Sequence, residues 1–251
     1  MNYADRVVIV TGGSQGIGEG CVRAFVGAGA KVVYCSPAAH GGSGLADELN
    51  ATGPGEAYYV ACDVTKVDEL RRLVDTAVEK YERLDCLVNN AGWHPPHKPI
   101  DDFDEDEFRA LLELNVVSVF AASRLALPHL RRTRGSIVNN GSVAADLGMA
   151  GTSIYAASKG AISSMTRAAA IEFIKAGVRV NAVSPGPVET DMGARFFGSI
   201  DNMRGFASGA VPAGSPGTPA DIAEAVLYLA SPQASFLVGQ ILTVDGGMSV
   251  Q

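Results

Sequence analysis

Residues 7–18, VVIVTGGSQGIG, decide the fold of this chain. Five β-branched residues in a row are typical of a buried strand, and they pass directly into a glycine-rich turn with the spacing G-x-x-x-G-x-G. A helical pattern follows over residues 17–28. Because glycines let a ligand approach the backbone and a helix start supplies free N–H groups, this order predicts a dinucleotide-binding turn. The residues predicted to contact the dinucleotide are Gly12, Ser14, Gln15, Gly16, Ile17 and Gly18.

Outward from this turn, short apolar runs alternate with longer helical patterns along the chain. Most of the runs are rich in valine, as expected of strands that are covered on both faces. Repeated strand–helix–strand units predict one α/β domain over residues 1–251, a doubly wound Rossmann fold whose parallel seven-stranded sheet carries helices on both faces. The predicted strands are 6–10, 31–35, 57–62, 86–89, 136–139, 179–183 and 240–244, and the predicted helices are 17–28, 43–52, 66–82, 103–132, 153–176 and 219–231.

The segment 185–220 interrupts this alternation. It is rich in Gly, Pro, Ser and Met and has weak periodicity, so the sequence predicts an irregular segment there. About 35 irregular residues are uncommon in a compact domain unless they form a lid or a binding loop. The segment follows the sixth predicted strand, at the edge where open α/β sheets bind ligands. We therefore expect a substrate loop or lid.

Composition and charge exclude several classes of function. The 251 residues carry a net charge of −7 and no basic block, which argues against nucleic acid and anionic membranes as partners. No cationic leader and no run of about 18 apolar residues is present, which predicts a soluble cytoplasmic protein. Neither C-x-x-C nor H-E-x-x-H spacing occurs, so we expect no metal site and four reduced core cysteines, Cys21, Cys35, Cys62 and Cys86.

The end of the second predicted strand bears on the choice of dinucleotide. An acidic residue there binds the ribose hydroxyls of NAD, whereas a basic residue accommodates the 2′-phosphate of NADP. The strand ends in Tyr34-Cys35-Ser36-Pro37, which supplies neither. Ser36 could hydrogen-bond a ribose hydroxyl, and the neighbouring loop has no Arg or Lys to attract a phosphate. These residues favour NAD as the cofactor and leave NADP open.

Four polar residues are candidates for chemistry at the carboxyl end of the sheet. Tyr155 and Lys159 are one helical turn apart and share a face of a predicted helix. Ser142 follows the fifth predicted strand, and Asn115 lies in the long helix before that strand. Each of them taken singly is as well explained as a surface or turn residue. The prediction of an active site therefore depends on their combination.

Together with the glycine-rich turn, these residues resemble the short-chain dehydrogenase/reductase family. The shared elements, in chain order, are T-G-x-x-x-G-x-G at 11–18, C-D-V at 62–64, N-N-A-G at 89–92, Asn115, Ser142, Y-x-x-x-K at 155–159, and P-G at 185–186 with Thr190. Residues 83–96 and 112–115 are also similar to the type-14 17β-hydroxysteroid dehydrogenases, whereas 143–154 and 185–220 are similar to generic bacterial reductases of the family. The resemblance implies an oxidoreductase that uses NAD or NADP to interconvert a secondary alcohol and a ketone.

The resemblance also implies catalytic roles. Tyr155 would exchange a proton with the substrate oxygen, and Ser142 would donate a hydrogen bond to that oxygen. Lys159 would bind the nicotinamide ribose and lower the pKa of the phenol. An ammonium ~4 Å away contributes about 4 kcal/mol at a dielectric of ~20, or about three pKa units. Asn115 would hold a water behind Lys159.

The implied ligand contacts fall into four groups. For the adenine they are Asp63 and Val64; for the ribose and pyrophosphate channel Asn89, Ala91 and Gly92; for the nicotinamide Pro185, Gly186, Val188 and Thr190; and for the substrate Trp93, His94 and the stretch 192–203, which begins with Met192. Asn89 has an alternative role, which is to tie two strands together. The predicted substrate contacts also have an alternative role, because a mobile lid with exposed apolar residues would show the same sequence pattern.

The expected substrates are, in order, hydroxysteroids, sugars or polyols, and 3-oxoacyl thioesters. The acidic chain argues mildly against an acyl-carrier partner, which would favour a basic patch. A catalytically silent dinucleotide sensor or scaffold is the alternative from another class, and the intact set of proton-relay residues weighs against it. The resemblance finally implies a homotetramer, with helices 103–132 and 153–176 and the C-terminal strand at its interfaces.

Overall fold

The computed structural model describes all 251 residues and shows one parallel sheet in an α/β domain. The strands are β1 (Val7–Thr11), β2 (Lys31–Ser36), β3 (Glu56–Ala61), β4 (Cys86–Asn89), β5 (Ser136–Asn140), β6 (Arg179–Pro185) and β7 (Ile241–Val244). Their order across the sheet is β3-β2-β1-β4-β5-β6-β7, and every neighbouring pair is parallel. The chain reverses its direction of travel across the sheet between β1 and β4, which opens a crevice at their carboxyl ends. The predicted fold class is confirmed.

Nine α-helices cover the two faces of the sheet. They are α1 (Gly16–Gly27), α2 (Ser43–Thr52), α3 (Val67–Tyr81), α4 (Glu105–Leu112), α5 (Ser118–Thr133), α6 (Ser153–Phe173), α7 (Asp191–Phe197), α8 (Ile200–Ala210) and α9 (Pro219–Ala230). In β1, Val8 and Val10 pack with α1 and α9, whereas Val7 and Ile9 pack with α3 and α5. Because successive side chains point to opposite faces, a strand covered on both must be continuously apolar. This requirement explains the valine-rich runs.

The helix predicted at 103–132 is divided into two. Helix α4 begins after Asp104, which forms a capping box with Glu107. A turn of π-helix, Glu113–Val117, joins α4 to α5 and contains Asn115. Such turns insert one extra residue and occur mostly at functional sites. One inserted residue barely disturbs the apolar pattern, so the sequence predicted a continuous helix.

The prediction of an irregular segment at 185–220 is wrong, because the segment contains α7 and α8. Thr190 caps α7 and Ser199 caps α8, each by accepting a backbone N–H bond of 3.0 Å. One face of α8 buries Met203 and Ala207. Glycines lower the helix propensity of both helices, and α7 has only seven residues. Because of the glycines and the short length of α7, the sequence shows no clear helical periodicity in this segment.

Residues 105–133 form one helical stretch that is long and apolar enough to cross a membrane, judged by length and composition alone. Here it packs within the domain, with α5 against α3. It contributes Ala121, Ala122, Ala126 and Leu130 to the core. Packing against the sheet and its neighbours accounts for its apolar character.

Candidate active site

One cavity of about 910 Å³ opens at the carboxyl ends of the central strands. Most of the site residues predicted from the sequence line it: Gly12, Ser14, Gln15, Gly16, Ile17, Ser36, Asp63, Val64, Ala91, Gly92, Trp93, His94, Ser142, Tyr155, Lys159, Pro185, Gly186, Val188, Thr190 and Met192. The exceptions are Gly18, Asn89 and Asn115. The cavity lies where the sheet topology places a ligand site.

The glycine-rich turn leaves backbone N–H groups free in the wall of the cavity. Helix α1 begins at Gly16, and no side chain caps its N-terminus. Uncapped N–H groups at a helix start form an anion site. Gly12 has a φ of +64°, and a Cβ there would lie 2.9 Å from the Cα of Ala91. A Cβ at Gly18 would overlap the Gly12 carbonyl, so Gly18 permits close packing of helix and turn rather than the predicted ligand contact.

Two adjacent asparagines after β4 have different roles. Asn89 is 3% exposed, and its amide donates to Asn139 Oδ1 (2.9 Å) and to a serine of α5 (3.1 Å). It ties β4 to β5, which corrects the prediction that its side chain contacts the cofactor. Asn90 faces the cavity, and its Nδ2 donates to the carbonyls of Thr11 and Gly12, both at 3.0 Å. The sequence analysis assigned no role to Asn90.

Ser142, Tyr155 and Lys159 come together in the middle of the cavity. Ser142 follows β5, and the other two lie on the buried face of α6, which packs against β6. Tyr155 is 9% exposed and Lys159 is 5% exposed. The Lys159 ammonium lies 5.7 Å from the centre of the Tyr155 ring and donates to the carbonyl of Asn140 at 2.8 Å.

Burial governs the protonation of this pair. It raises the pKa of Tyr155 to about 12, against the effect of the nearby Ser142 hydroxyl. It lowers the pKa of Lys159 to about 8. Lys159 is not among the groups that shift the pKa of Tyr155 in this structure, where burial has the larger effect, so a lowering of the phenol's pKa by the ammonium stays a prediction. At pH 7 the phenol keeps its proton and most of the ammonium is charged, so the pair is ready to act as an acid.

Asn115 supports the site from behind. Its Oδ1 accepts the Trp93 N–H at 2.9 Å, and its Nδ2 donates to the Trp93 carbonyl (3.0 Å) and to Ser158 Oγ (3.1 Å). Ser158 in turn donates to the Tyr155 carbonyl at 2.7 Å. Both amide protons of Asn115 are therefore used within the protein. The side chain fixes the loop after β4 to α6, which is a positioning role, and the contact of Asn115 with a water stays a prediction.

The end of the cavity near β2 lacks positive charge. Ser36 is 2% exposed, and its hydroxyl donates to the carbonyl of Gly41 at 2.6 Å. Asp63 and Val64 follow the neighbouring strand β3, and hydrogen bonds from a threonine hold the pKa of the Asp63 carboxyl below its usual range. The only Lys and Arg in the cavity wall are Lys159 and Arg195, on α6 and α7.

An aromatic cluster forms the other end of the cavity. The His94 ring stacks on Tyr155 with centroids 4.0 Å apart and on Phe196 with centroids 4.4 Å apart. Phe197 and Phe206 continue the cluster at 4.8 and 4.9 Å. The three phenylalanines belong to α7 and α8. Phe196 and Phe197 lie in the predicted substrate stretch 192–203, whereas Phe206 was missed because α8 was not predicted.

His94 presents one nitrogen to the cavity. Its Nδ1 lies 2.6 Å from the carbonyl of Pro95, so Nδ1 carries a hydrogen and Nε2 is left as an acceptor. Burial lowers the pKa of His94, which favours this neutral form. Trp93 and Met192, also predicted as substrate contacts, line the same cavity.

The segment after β6 lies across the middle of the cavity. Val188 pairs with Gly217 in a short parallel bridge, which fixes the segment before α7. Thr190 approaches the glycine-rich turn, since a Cβ at Gly16 would lie 3.2 Å from Thr190 Cγ2. The start of α7 is thereby held between the anion site and the catalytic side chains.

The chain is similar to known dehydrogenases and reductases over nearly its whole length. A family model described as enoyl-(acyl carrier protein) reductase matches residues 12–249. L-fucose dehydrogenase of Oryctolagus cuniculus is 42% identical over 248 residues, which cover 98% of this chain and 85% of that protein.

Two solved structures share the fold. A short-chain type dehydrogenase/reductase from Mycobacterium ulcerans has a TM-score of 0.94 and 32% identity, and the match covers 100% of this chain and 92% of that one. A 7α-hydroxysteroid dehydrogenase in complex with NADH and 7-oxo glycochenodeoxycholic acid has a TM-score of 0.91 and 36% identity, with 98% and 95% covered. Because sequence and fold agree over almost the entire length, this chain belongs to the short-chain dehydrogenase/reductase family.

Proposed function

We propose that this chain is an NAD(P)-dependent oxidoreductase that interconverts a secondary alcohol and a ketone, with Tyr155 as the general acid/base. The observation that carries the proposal is the meeting of a phenol, a hydroxyl and an ammonium in the same cavity as an uncapped, glycine-rich helix start. The names of the fucose and hydroxysteroid dehydrogenases to which it is similar support this reaction.

The residues present fit a dinucleotide. The start of α1 offers free N–H groups to a pyrophosphate, and Gly12 leaves the backbone beside them open. From there the cavity extends past Lys159 to the aromatic cluster, and its 910 Å³ has room for an extended ligand. A nicotinamide bound there would supply the hydride chemistry between the alcohol carbon and the ketone carbon.

The chain's own residues handle the proton. In the reducing direction, Tyr155 gives its phenolic proton to the substrate oxygen as negative charge develops there. Ser142 donates a hydrogen bond to the same oxygen, and the Lys159 ammonium stabilises the phenolate that remains. In the oxidising direction the phenolate takes the proton back from the alcohol. The raised pKa of Tyr155 favours its proton-donating form.

We propose NAD rather than NADP as the preferred cofactor, because the end of the cavity near Ser36 has no Lys or Arg to meet a 2′-phosphate. Calorimetry is expected to show tighter binding of NAD than of NADP. Pro37→Arg, which places a guanidinium in the cavity wall, should raise NADP affinity about tenfold through one charge-assisted contact. Ala39→Arg, outside the wall, is the matched control. Tighter binding of NADP by the unaltered protein would contradict the proposal.

For the substrate we propose a secondary alcohol, preferably a cyclic one such as a hydroxysteroid or a sugar and otherwise a polyol, under a lid formed by α7 and α8. The aromatic wall of His94, Phe196 and Phe197 suits the flat face of a ring. Reduction of a 3-oxoacyl thioester is the second candidate, supported by the description of the family model. The net charge of −7 argues against docking of an acidic acyl carrier.

A substrate panel tests the proposal. Purified protein is mixed with NAD or NADP and with hydroxysteroids, sugars, polyols and simple cyclic alcohols, while the absorbance of the reduced cofactor is followed. Turnover of a cyclic alcohol supports the proposal. Dinucleotide binding without any turnover would contradict the proposed reaction and favour a silent sensor or scaffold. Without turnover means here that no alcohol is oxidised and that, in the reverse direction, no 3-oxoacyl thioester is reduced.

We also propose a homotetramer located in the cytoplasm. The elements implied at its interfaces expose apolar side chains, among them Phe120 on α5, Ile171 on α6 and Phe236 before β7. Free thiols at all four cysteines fit a reducing compartment.

A further inference from the structure

Asn140, the last residue of β5, connects the two functional parts of the cavity. Its backbone carbonyl accepts the Lys159 ammonium at 2.8 Å, and its Nδ2 donates to Asn90 Oδ1 at 3.0 Å. Asn90 in turn donates to the carbonyls of Thr11 and Gly12. These bonds form a continuous path from the glycine-rich turn to the catalytic ammonium.

The Oδ1 atom of Asn140 is buried and has no hydrogen-bond partner. Its orientation is fixed, because Asn90 uses both amide protons on backbone carbonyls and presents only its oxygen to Asn140. A buried acceptor without a donor is costly and is rare in native proteins. Asn140 lines the cavity while its Oδ1 is shielded, so a donor on a bound ligand reaches this oxygen when the amide tilts towards it.

The order of contacts along the cavity identifies which part of the ligand that is. Asn140 is bonded on one side to Asn90, which holds the glycine-rich turn, and on the other to Lys159, which lies beside Tyr155 and His94. When the pyrophosphate binds the turn and the nicotinamide reaches Tyr155, the group between them is the nicotinamide ribose. That sugar carries two neighbouring hydroxyls. An ammonium can only donate to a hydroxyl and Oδ1 can only accept from one, so together they complement the pair.

We propose that Asn140 is a cofactor-binding residue whose Oδ1 accepts a hydrogen bond from one hydroxyl of the nicotinamide ribose, beside Lys159. This inference rests on the proposed function, because it takes the cavity to bind a nicotinamide dinucleotide. It assigns to Asn140 a contact that depends on its side chain and is separate from the bond between its backbone carbonyl and Lys159.

Calorimetry with ADP and ADP-ribose tests the proposal, because only ADP-ribose carries the second sugar. The unaltered protein should bind ADP-ribose more tightly than ADP. Asn140→Leu, of similar size, should bind ADP-ribose about three- to tenfold more weakly, the usual effect of one neutral hydrogen bond. Its affinity for ADP should change less than twofold. ADP thus serves as the control within the same variant.

Two results would overturn the proposal. One is unchanged ADP-ribose affinity in Asn140→Leu. The other is an equal loss of affinity for both ligands, which would mean that Asn140 acts through Asn90 on the glycine-rich turn. If the unaltered protein binds neither ADP-ribose nor NAD, the proposed function itself fails, so the two failures are distinguishable. Asn140→Ser gives the same comparison if the leucine variant does not fold.

Discussion

Lys159 illustrates, at the scale of one residue, how a group needed for chemistry weakens the fold that holds it. Its ammonium is 5% exposed and forms no ion pair with a carboxylate, and one backbone carbonyl, that of Asn140, accepts from it. Burial therefore lowers its pKa from 10.5 to about 8. The unfolded chain binds this proton more tightly than the folded chain does, so the charged lysine favours unfolding.

We predict that Lys159→Met abolishes turnover but raises the free energy of unfolding at pH 7 by up to about 3 kcal/mol. Below pH 8 the lysine is charged in both the folded and the unfolded chain, and its buried charge destabilises the folded chain by the full amount. As the pH rises from about 8 to 10.5, the folded protein no longer carries the charge, so the advantage of the variant shrinks towards zero. Denaturant unfolding across this pH range measures it, with the exposed Lys175→Met as the control. A gain that does not depend on pH would contradict the prediction.

The role of a residue could be predicted where it depends on neighbours in the sequence, and could not where it depends on contacts with distant parts of the chain. Tyr155 and Lys159 share a helix face because of their spacing alone. Asn89 and Asn90 are neighbours that point in different directions, and only the adjoining strands show which of them reaches the cavity. The role of Asn140 arises from contacts with β4 and α6, far away in sequence. No local pattern carries that information.

At the scale of elements, the π turn between α4 and α5 links the loop after β4 to the catalytic helix. It places Asn115 where its amide bonds both the N–H and the carbonyl of Trp93, and it reaches α6 through Ser158. The loop that carries Trp93 and His94 is therefore held in place by a side chain, that of Asn115, that does not itself line the cavity. This arrangement couples the substrate end of the site to the helix that carries Tyr155.

We predict that Asn115→Leu lowers kcat about tenfold or more, because it removes three hydrogen bonds and frees the loop beside Tyr155. Cofactor affinity should change little. Trp93 is the only tryptophan, so its emission should shift to the red as it becomes more hydrated. Steady-state kinetics and fluorescence measure these effects, with Gln233→Leu, at an exposed position, as the control. Unchanged emission together with unchanged turnover would contradict the positioning role.

The elements themselves were predictable to different degrees. All seven strands were predicted, because a strand buried on both faces must be apolar throughout, as β1 is. Helices α7 and α8 were not, because they are short and rich in glycine. Their caps, Thr190 and Ser199, are the one sequence signal that indicated them. Because α7 and α8 were not predicted, the aromatic wall that they give the substrate site was not predicted as such either.

At the scale of the whole molecule, the proposed tetramer accounts for apolar side chains that the single chain leaves exposed. Phe236 is fully exposed, and Phe120 and Ile171 are more than half exposed. They lie on or beside the elements that the family resemblance places at interfaces. Isolated exposed apolar residues are common, so their number alone decides nothing.

We predict that sedimentation shows one species of four chains. Phe236→Glu should shift the protein to smaller species with unchanged secondary structure, because it would bury an unpaired charge at an interface. Val67→Glu on α3, away from the implied interfaces, is the matched control. A monomeric wild-type protein, or a tetramer that Phe236→Glu leaves intact, would contradict the proposed assembly.

The most direct test of the whole account compares Tyr155→Phe with the unaltered protein in both NAD binding and turnover of a cyclic alcohol. The exposed Tyr228→Phe is the matched control. Removing one phenolic oxygen takes away the acid/base and leaves the glycine-rich turn unchanged. The account predicts that Tyr155→Phe binds NAD within about threefold of the unaltered protein while its turnover falls by a factor of at least ~100, the usual contribution of a general acid/base. Turnover equal to that of the unaltered protein would contradict it.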